Sequence, residues 1–516
     1  EHPTAGRSVA APSEIAVERL GNTTVRLTWQ DNSDNETGFS VWVRDADDID
    51  RTSEVGRVGA DVTEFTISSG LQEGRYYYLG VKAEGAADEL SSRVVYTLYN
   101  LVALADAPLA ELAGSAVSTE SCIAVRYRVL NAPAQSGVRY GLCWSSEHTP
   151  TVADLLQYGP ALPEDGGAML QVIPNTLLEY GREYRIRAFA ASPLGTFYSA
   201  ETRASLAAEP EAIRLNWTKL QKSALPAGVE LYETQDKLNG RNFHAWYAVA
   251  DPAQGVELRV MVPSGAQTID QQAAAAGDCL VLVNGGYFYN GSHTGLAVLN
   301  GSATGTIPAV RGSLRTGEAE YGVMYNVTRG LFGVDAAGKP AVYWAGTDAS
   351  GSARYFDRPL PSVKGEAKYD AVSAANPTDA VAWSPKYALS AGPVLLKEGK
   401  CPFDFTETEK GTEFFLNNYE IMPYDIFGAS VICDRTAAGY LADGRIVLFI
   451  CDGRISESPG ANLTELARIL RGIGCVEAVN FDGGGSTGMM VGSEHLNDQT
   501  PNNRPVVSTI GFFKTK

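Results

Sequence analysis

The sequence predicts a multidomain chain with two all-β sandwiches followed by an α+β domain that has a central, mostly antiparallel sheet. The 516 residues are enough for about three domains of ordinary size. Two N-terminal stretches contain short alternating segments between turns, and both contain a Leu-to-Tyr offset of six residues, 107 residues apart. The rest of the chain combines alternating segments with one clear amphipathic helix, which predicts mixed α and β structure.

The first predicted sandwich covers residues 11–100, after an N-terminal tail at 1–10. Two of its segments have apolar side chains at every second position, as expected for strands with one buried face: Val25, Leu27 and Trp29, and then Tyr77, Leu79, Val81 and Ala83. Leu71, six residues before Tyr77, completes the pattern of a tyrosine corner. This set resembles fibronectin type III domains, with Trp29 as the core tryptophan of an early strand.

The second predicted sandwich, residues 101–206, repeats this plan. One strand is predicted by the alternation of Ile123, Val125, Tyr127 and Val129, and Tyr184 follows Leu178 at the same offset of six. Tandem sandwiches are the economical interpretation, and the second also resembles a fibronectin type III domain. Neither has a cluster of chemically useful side chains, so we expect spacers or docking modules.

An acidic segment, DNSDNETG at residues 31–38, lies within the first sandwich. Its Asp, Asn and Ser side chains could offer oxygen ligands to Ca²⁺. The same residue types also favour turns, and a turn is the preferred interpretation.

Composition narrows the classes of function. A formal net charge of −18 argues against nucleic-acid binding, which needs a basic face, and against an anionic membrane surface. No run of about 18 apolar residues suits a transmembrane helix. Seven cysteines without a CxxC pair indicate neither a zinc knuckle nor a disulfide framework. The chain begins with Glu1 and shows no signal peptide, so we expect that a removed targeting segment preceded it.

The residue pattern of the sequence changes after a predicted linker at 207–212. Residues 213–516 are assigned to one domain. Its clearest element is the helix in NLTELARILRGIG, where one face carries Leu463, Leu466, Ala467 and Leu470. Asn462 is predicted to cap this helix with Glu465 as the capping-box partner, and Gly472 is predicted to end it.

Four segments of this domain are rich in Gly, Asn, Asp and Arg beside apolar strands. They contain Asn284-Gly285-Gly286, Arg435-Thr436, Asp452-Gly453, the run Asp482-Gly483-Gly484-Gly485-Ser486-Thr487, and Arg504 before the last strand. Each has a simpler interpretation, because Asn-Gly and Asp-Gly pairs also form tight turns and most arginines make surface ion pairs.

The run DGGGST is the hardest to explain as a turn. Three consecutive glycines exceed what a hairpin needs. Neither the lysine of a phosphate-binding loop nor a GxGxxG that opens a helix accompanies them, so nucleotide cradles are disfavoured. The remaining interpretation is a nest, in which successive main-chain N–H groups bind one anion, with Asp482 at the entrance of this anion site.

These motifs occur in the order typical of the phosphodiester glycosidase family. NGGYF, the Arg-Thr pair before a hairpin, the Asp-Gly pair after it, LTELARIL and NFDGGGST resemble that family over residues 213–516, as does ALSAGPVLLKEGK at 388–400. The resemblance implies hydrolysis of a sugar–O–phosphate linkage, of the N-acetylglucosamine-1-phosphate type, at the anomeric carbon.

The resemblance also implies roles for individual residues. Asp482 and Asp452 are the candidates for nucleophile or base, since a carboxylate stabilises oxocarbenium character at the sugar carbon; which of them does what stays open. Arg435, Arg504 and the glycine amides would stabilise the leaving phosphate. The substrate-binding candidates are Asn284, Gly285, Gly286, Thr436, Gly483, Gly484, Gly485, Ser486, Thr487 and Arg504.

No cofactor is expected, although a divalent cation between Asp482, Asp452 and a phosphate stays open. The expected partner is a carbohydrate phosphodiester in a glycan or envelope polymer, with no nucleic acid and no membrane insertion. We expect a secreted or cell-envelope bacterial protein, periplasmic or surface-anchored, that works as a monomer and contacts a surface glycan or the envelope through its sandwiches. Two alternatives stay open: a phosphodiesterase that breaks the P–O bond, which usually needs a metal pair, and a non-catalytic glycan-binding module on the same fold.

Overall fold

The computed structural model describes most of the chain. Outside the described part lie residues 1–7, 22, 87–89, 97–101, 104–106, 133–136, 193, 314–315, 362–364, 367, 409–410, 417–430, 498–503 and 516, together with the side chains at 102–103, 320, 404–408 and 411–416. Most of the predicted N-terminal tail, and the predicted boundary between residues 100 and 101, therefore lie outside the described residues.

The chain divides into two compact units. The first comprises Glu1–Ser115, Arg126–Met169 and Tyr184–Arg203, and the second comprises Ala116–Val125, Leu170–Glu183 and Ala204–Lys516. Segments of the second predicted sandwich belong to both units, so the predicted domain boundaries stay predictions.

The N-terminal stretch forms a two-sheet sandwich. Its strands are β1 (Ser13–Arg19), β2 (Val25–Gln30), β3 (Gly38–Asp45), β4 (Thr52–Gly59), β5 (Glu64–Ile67), β6 (Tyr76–Glu84), β7 (Val95–Tyr96) and β8 (Val102–Ala103). One sheet has the order β1-β2-β5, and the other has the order β4-β3-β6-β7 with β8 also beside β6.

The predicted core of this sandwich is confirmed. The alternating side chains of β2 and β6 are buried, and Trp29 packs against Phe39 with ring centroids 5.4 Å apart. The amide of Gln72 donates to the hydroxyl of Tyr77 at 3.0 Å, and Leu71 is buried beside it. This is the hydrogen bond of a tyrosine corner.

The next stretch contains two further sheets. Its strands are β9 (Leu109–Leu112), β10 (Val117–Ser118), β11 (Cys122–Leu130), β12 (Arg139–Ser145), β13 (Leu155–Tyr158), β14 (Met169–Pro174), β15 (Glu183–Ser192), β16 (Gly195–Tyr198) and β17 (Thr202–Ser205). The sheet orders are β10-β11-β14, with β9 also on β11, and β13-β12-β15-β16, with β17 also on β15. The alternation predicted for β11 is confirmed, because Ile123, Val125, Tyr127 and Val129 are all buried.

The C-terminal part is mostly β. Its elements are β18 (Thr218–Leu220), β19 (Val229–Thr234), β20 (Lys237–Leu238), β21 (Arg241–Asn242), β22 (Ala245–Ala250), β23 (Val256–Met261), α1 (Ile269–Ala276), β24 (Cys279–Asn284), β25 (Phe288–Tyr289), β26 (Ser292–His293), β27 (Leu296–Leu299), β28 (Ser302–Gly305), β29 (Val310–Arg311), β30 (Met324–Tyr325), β31 (Arg329–Asp335), β32 (Pro340–Thr347), β33 (Ala353–Phe356), β34 (Pro385–Ser390), β35 (Val394–Leu396), β36 (Asp404–Thr408), β37 (Gly411–Leu416), β38 (Arg435–Leu441), β39 (Ile446–Cys451), α2 (Leu463–Ile473), β40 (Cys475–Asn480), β41 (Met489–Val491), β42 (Glu494–His495) and β43 (Thr509–Lys514).

Three sheets dominate this part. The central sheet has seven strands in the order β18-β19-β22-β39-β38-β40-β35. The flanking sheet has five, β23-β43-β24-β41-β42, and a third sheet has six, β28-β27-β34-β31-β32-β33. Neighbouring strands pair antiparallel in β22-β39, β38-β39, β38-β40, β24-β41 and β24-β43, as predicted.

The central sheet is buried on both faces. Along β39, Ile446, Leu448 and Ile450 point into a core that also contains side chains of the other two sheets, whereas Val447 and Phe449 pack on the side of α2. Side chains alternate between the faces of a strand, so a strand covered on both sides is apolar throughout. This explains the unbroken run IVLFIC.

Helix α2 forms with the predicted capping box. The side chain of Asn462 accepts from the amide of Glu465 at 2.8 Å, and the carboxylate of Glu465 accepts from the amide of Asn462 at 3.0 Å. The predicted end at Gly472 is wrong, because the helix continues to Ile473 and ends at Gly474, whose φ of 108° is left-handed. At Gly472, a Cβ would lie 1.9 Å from the carbonyl oxygen of Ile213, so this glycine allows a close approach instead. No helix among the described residues is long and apolar enough to cross a membrane.

Candidate functional site

The glycine run connects two different sheets. Strand β40 of the central sheet ends at Asn480, and β41 of the flanking sheet begins at Met489. Residues 482–488, here called the glycine turn, pass between them and include a 3-10 helix at Gly484–Ser486. The two apolar runs that enclose DGGGST are therefore not a hairpin.

Asn284 clamps the glycine turn from the end of β24. Its side-chain amide donates to the carbonyl of Asp482 at 2.6 Å. Its side-chain oxygen accepts from the hydroxyl of Thr436 at 2.7 Å and from the amide of Gly488 at 3.2 Å. The hydroxyls of Thr436 and Thr487 lie 3.4 Å apart. Asn284, Thr436 and Thr487 are all fully buried, so they hold the turn in place.

Most amides of the glycine turn bond to the protein itself. Gly483 donates to its neighbour's carboxylate, Asp482 Oδ1, at 3.0 Å, and Gly484 donates to the carbonyl of Asp434 at 3.0 Å. The amides of Ser486 and Thr487 bond back to Gly483 and Gly484. Gly484 has a left-handed φ of 59°, which favours glycine. Of the three glycine amides that the sequence predicts to bind an anion, those of Gly483 and Gly484 therefore already have acceptors in the protein.

Asp482 sits half-buried at the start of this turn. Burial raises the pKa of its carboxyl from 3.8 to about 6, while the Ser486 hydroxyl, the Gly483 amide and the charge of Arg504 act in the opposite direction. A carboxyl of this kind changes its charge close to neutral pH, which suits acid–base or nucleophilic chemistry.

Arg504 lies beside the same turn. A Cβ at Gly485 would lie 3.5 Å from its Nη1 atom, and its guanidinium lies over the ring of Phe288, 5.2 Å from the ring centroid. Arg504 is exposed. Its donors therefore remain accessible to an anion that approaches the glycine turn and Asp482.

A second arginine, Arg454, also lies beside the turn. A Cβ at Gly484 would lie 3.2 Å from its Nη2 atom. Its Nε donates at 2.8 Å to Asp434, whose side chain is almost completely buried. Burial raises the pKa of Asp434, and Arg454 opposes this effect. Asp434 and Arg454 were not among the sequence candidates, although both flank candidate residues in CDRT and CDGR.

Arg435 has a different environment from the two arginines at the turn. Its guanidinium is buried and bonds to main-chain carbonyls, at 3.0 Å to Ala461 and also to Val431. Adjacent strand residues point to opposite faces, and the next residue, Thr436, faces the glycine turn. A catalytic role for Arg435 stays a prediction, and its contacts are those of a residue that positions the chain.

Asp452 directly follows β39, and its carboxylate contacts a histidine. One carboxylate oxygen lies 3.5 Å from Nδ1 of His244, whose Nε2 bonds to Glu233 at 2.8 Å. The hydroxyl of Ser458 donates to the main-chain carbonyl of Asp452 at 2.8 Å. Asp452-Gly453 is not a two-residue hairpin, because the chain leaves β39 there and continues to α2.

The glycines of NGGYF bring β24 close to its neighbours. Gly285 accepts from the amide of Asp482 at 3.0 Å, and the amide of Gly286 donates to the hydroxyl of Ser508 at 3.0 Å. His293 lies against Gly286, and burial lowers the pKa of this histidine to about 4. It is therefore neutral at neutral pH.

The structure thus groups most candidates but not all of them. Joined around the glycine turn are Asp482, Gly483, Gly484, Gly485, Ser486, Thr487, Asn284, Gly285, Gly286, Thr436 and Arg504. Arg435 begins β38 and Asp452 follows the paired strand β39, yet Asp452 contacts His244 and Arg435 bonds to the carbonyls of Ala461 and Val431. In the described part of the chain, one group of side chains has the spacing to hold a metal ion: Asp31, Glu36 and Asp61. None of these three residues belongs to this site.

Comparison with known families assigns two parts of the chain. The family model described as phosphodiester glycosidase matches residues 277–513, and that of the fibronectin type III domain matches residues 10–97. The first match begins after strands β18, β19, β22 and β23, which nevertheless belong to the central and flanking sheets.

Individual relatives are similar over short or distant alignments. The mouse N-acetylglucosamine-1-phosphodiester alpha-N-acetylglucosaminidase is 46% identical over 57 residues, which are 11% of this chain and 11% of the relative. The human protein of the same name is 47% identical over 57 residues, with the same coverage. This chain therefore matches about a tenth of the length of these relatives.

One similar solved structure is the catalytic domain of the zebrafish N-acetylglucosamine-1-phosphodiester alpha-N-acetylglucosaminidase, auto-inhibited by its pro-peptide. The sequence identity is 18%, the TM-score is 0.36, and the match covers 58% of this chain and 89% of that one.

Proposed function

We propose that the chain, which carries a phosphodiester glycosidase domain at residues 277–513 and a fibronectin type III domain at residues 10–97, hydrolyses a sugar-1-phosphodiester at the anomeric carbon. The proposed substrate is of the N-acetylglucosamine-1-phosphate type, in line with the names of the mouse and human relatives. The observation that carries the proposal is the half-buried carboxyl of Asp482 on a glycine turn with Arg504 beside it.

In this proposal Asp482 faces the sugar. The ionised carboxylate stabilises positive charge that develops at the anomeric carbon, or attacks it directly. Its position is set by the neighbours of the turn, because Asn284 holds its carbonyl and Gly285 accepts from its amide. A carboxylate held in this way loses little orientation freedom when the substrate binds.

The leaving phosphate needs positive charge more than it needs a proton. Arg504 supplies this charge beside Gly485, and Arg454 supplies it beside Gly484. Guanidinium groups bind phosphate oxygens in a bidentate manner. Among the three glycine amides, that of Gly485 has no protein acceptor in the described residues, so it is the amide proposed to donate to the phosphate.

The bond that breaks can be measured directly. The wild-type chain and an Asp482→Asn variant are incubated in ¹⁸O-labelled water with an N-acetylglucosamine-1-phosphodiester and with UDP-N-acetylglucosamine. We expect ¹⁸O in the released sugar and no release by the variant. Label in the phosphate would instead indicate a P–O-cleaving phosphodiesterase, and binding without hydrolysis by the wild type would indicate a glycan-binding module.

The same assay with and without EDTA tests the role of a metal. The carboxylate of Asp452 contacts His244, whereas that of Asp482 accepts from the amide of Gly483. Because the two carboxylates have different partners, we propose that hydrolysis continues in EDTA. Activity lost in EDTA and restored by a divalent cation would contradict this part of the proposal.

The wider context is also proposed. We place the substrate in a bacterial glycan or envelope polymer and the protein outside the cytoplasm, as a monomer. We further propose that residues 101–206 form a second fibronectin type III-like domain, supported by the buried Leu178 and Tyr184, which repeat the offset of the first sandwich.

A further inference from the structure

An acidic cluster lies in the N-terminal sandwich. Asp31, Glu36 and Asp61 each offer a carboxylate oxygen, and these oxygens lie within 4.8 Å of one another. Asp31 and Glu36 belong to the turn between β2 and β3, whereas Asp61 belongs to the turn between β4 and β5. No arginine or lysine in the described part of the chain forms an ion pair with any of the three.

Glu36 is the member that points to a bound cation. Its side chain is only 9% exposed. One carboxylate oxygen, Oε1, accepts from the amide of Asp61 at 3.3 Å. The other, Oε2, is buried and no donor in the described part of the chain reaches it. A buried carboxylate oxygen without a partner is costly, and in native proteins such an atom usually has a water or an ion beside it.

We propose that Asp31, Glu36 and Asp61 form a Ca²⁺ site. Calcium binds oxygen at about 2.3–2.6 Å, so two of its ligands lie at most about 5 Å apart, which matches the spacing of this cluster. Magnesium binds at about 2.1 Å and requires near-octahedral geometry, which limits ligand pairs to about 4.2 Å. Ligands from two turns with an exposed Asp61, where water completes the shell, suit the more flexible coordination of calcium.

The ion would connect the two sheets of the sandwich. Strands β2 and β5 belong to one sheet, and β3 and β4 belong to the other. Each of the two turns that supply the ligands passes from one sheet to the other. A ligand that binds only the folded state stabilises it, so calcium should raise the melting temperature of this sandwich. The site does not depend on the hydrolytic function proposed above.

The test is calorimetric titration of the full chain with CaCl₂, and separately with MgCl₂, up to about 10 mM, since extracellular calcium modules bind with dissociation constants of about 0.1–1 mM. We expect one saturable calcium site, binding of magnesium at least about tenfold weaker, and a melting temperature that rises with calcium. No saturable calcium binding in this range, or equal affinity for the two metals, would overturn the proposal.

Matched variants assign the binding to this cluster. Asp61→Asn keeps a residue type that tolerates the left-handed φ of 60° at this position, and it should weaken calcium binding at least about tenfold. Asp34→Asn lies in the same acidic turn but outside the cluster, and it should bind like the wild type. Glu36→Gln should abolish binding; if it does not fold, Asp61→Asn decides. Unchanged binding by Asp61→Asn would overturn the site, and this variant should hydrolyse the phosphodiester normally.

Discussion

Two strands of the central sheet, β39 and β40, both pair with β38, and each is followed by an Asp-Gly pair in a different environment. Asp452 comes directly after β39, and Asp482 comes two residues after the end of β40. The carboxylate of Asp452 lies next to His244, which continues to Glu233. The carboxyl of Asp482 lies at a glycine turn beside Arg504, and burial raises its pKa to about 6.

This difference teaches that an Asp-Gly pair after a strand has no fixed chemical role. At Asp482 the chain crosses from one sheet to another, so side chains and main-chain groups of both sheets converge there. At Asp452 it leaves the sheet toward α2, and the carboxylate joins a chain of polar side chains. We therefore expect the two aspartates, which the sequence treats alike, to respond differently to the same substitution.

The largest expected effect is that of Asp482→Asn. This change keeps the shape of the side chain but removes the carboxylate that the proposed mechanism places at the sugar carbon. We expect kcat for the N-acetylglucosamine-1-phosphodiester to fall by on the order of 10³-fold or more. Asp443→Asn, in the exposed hairpin turn after β38, is the matched control and should keep full activity. Near-normal turnover by Asp482→Asn would show that the site is wrongly placed.

The next effect separates the arginines. Arg504→Ala should lower kcat/KM about 10²-fold, the scale for loss of a charged donor to an oxyanion, with unchanged thermal stability because Arg504 is exposed. Arg504→Lys should recover part of the loss.

Arg435→Ala provides the contrast. It removes donors to two main-chain carbonyls, so we expect the free energy of unfolding to fall by about 1–3 kcal/mol. Denaturant unfolding and kinetics measured on both variants decide between the roles. A stable Arg435→Ala protein with a 10²-fold kinetic loss would restore Arg435 as a phosphate ligand.

The pH dependence should report Asp482. Because its carboxylate is proposed to act in ionised form, kcat/KM should fall about tenfold per pH unit below about pH 6. A phosphodiester substrate does not change its charge in this range. A rate that rises as the pH falls below 6 would instead make Asp482 a general acid.

Stability should change in the opposite sense. The folded state holds the Asp482 proton up to about pH 6, whereas the unfolded chain releases it near pH 3.8. The favourable contribution is therefore complete below about pH 4 and is lost as the pH rises through 6. Asp482→Asn cannot titrate, so the difference in melting temperature between wild type and variant should shift across this window and be constant above it.

The smallest expected effect is that of Asp452→Asn. We expect less than about a tenfold loss of kcat, together with a stability loss of about 1 kcal/mol from the weakened contact to His244. Kinetics and thermal unfolding measured beside Asp482→Asn test this. A loss as large as that of Asp482→Asn would show that both carboxylates take part, as in glycosidases with two acidic groups.

Prediction from the sequence succeeded where the signal is local. The alternation around Trp29, the offset from Leu71 to Tyr77 and the capping box of Asn462 and Glu465 each depend on residues a few positions apart. It failed at Gly472, because the reason for that glycine is the carbonyl of Ile213, which is more than 250 residues away along the chain. Asp434 and Arg454 were missed for the same reason, because the sequence does not show that Gly484 lies beside both of them in the fold.

By itself, the sequence determined the all-β character of the N-terminal stretch, the amphipathic helix, and the chemical inventory of aspartates, arginines and glycines around DGGGST. These follow from periodicity and from what each side chain can do. Only the tertiary structure decided which aspartate and which arginines meet. Asn284 ends β24, Thr436 lies in β38, and Asp482 begins the glycine turn after β40. The electrostatic environment of a carboxyl depends on what is packed within a few ångströms of it, and that distance is unrelated to separation along the chain.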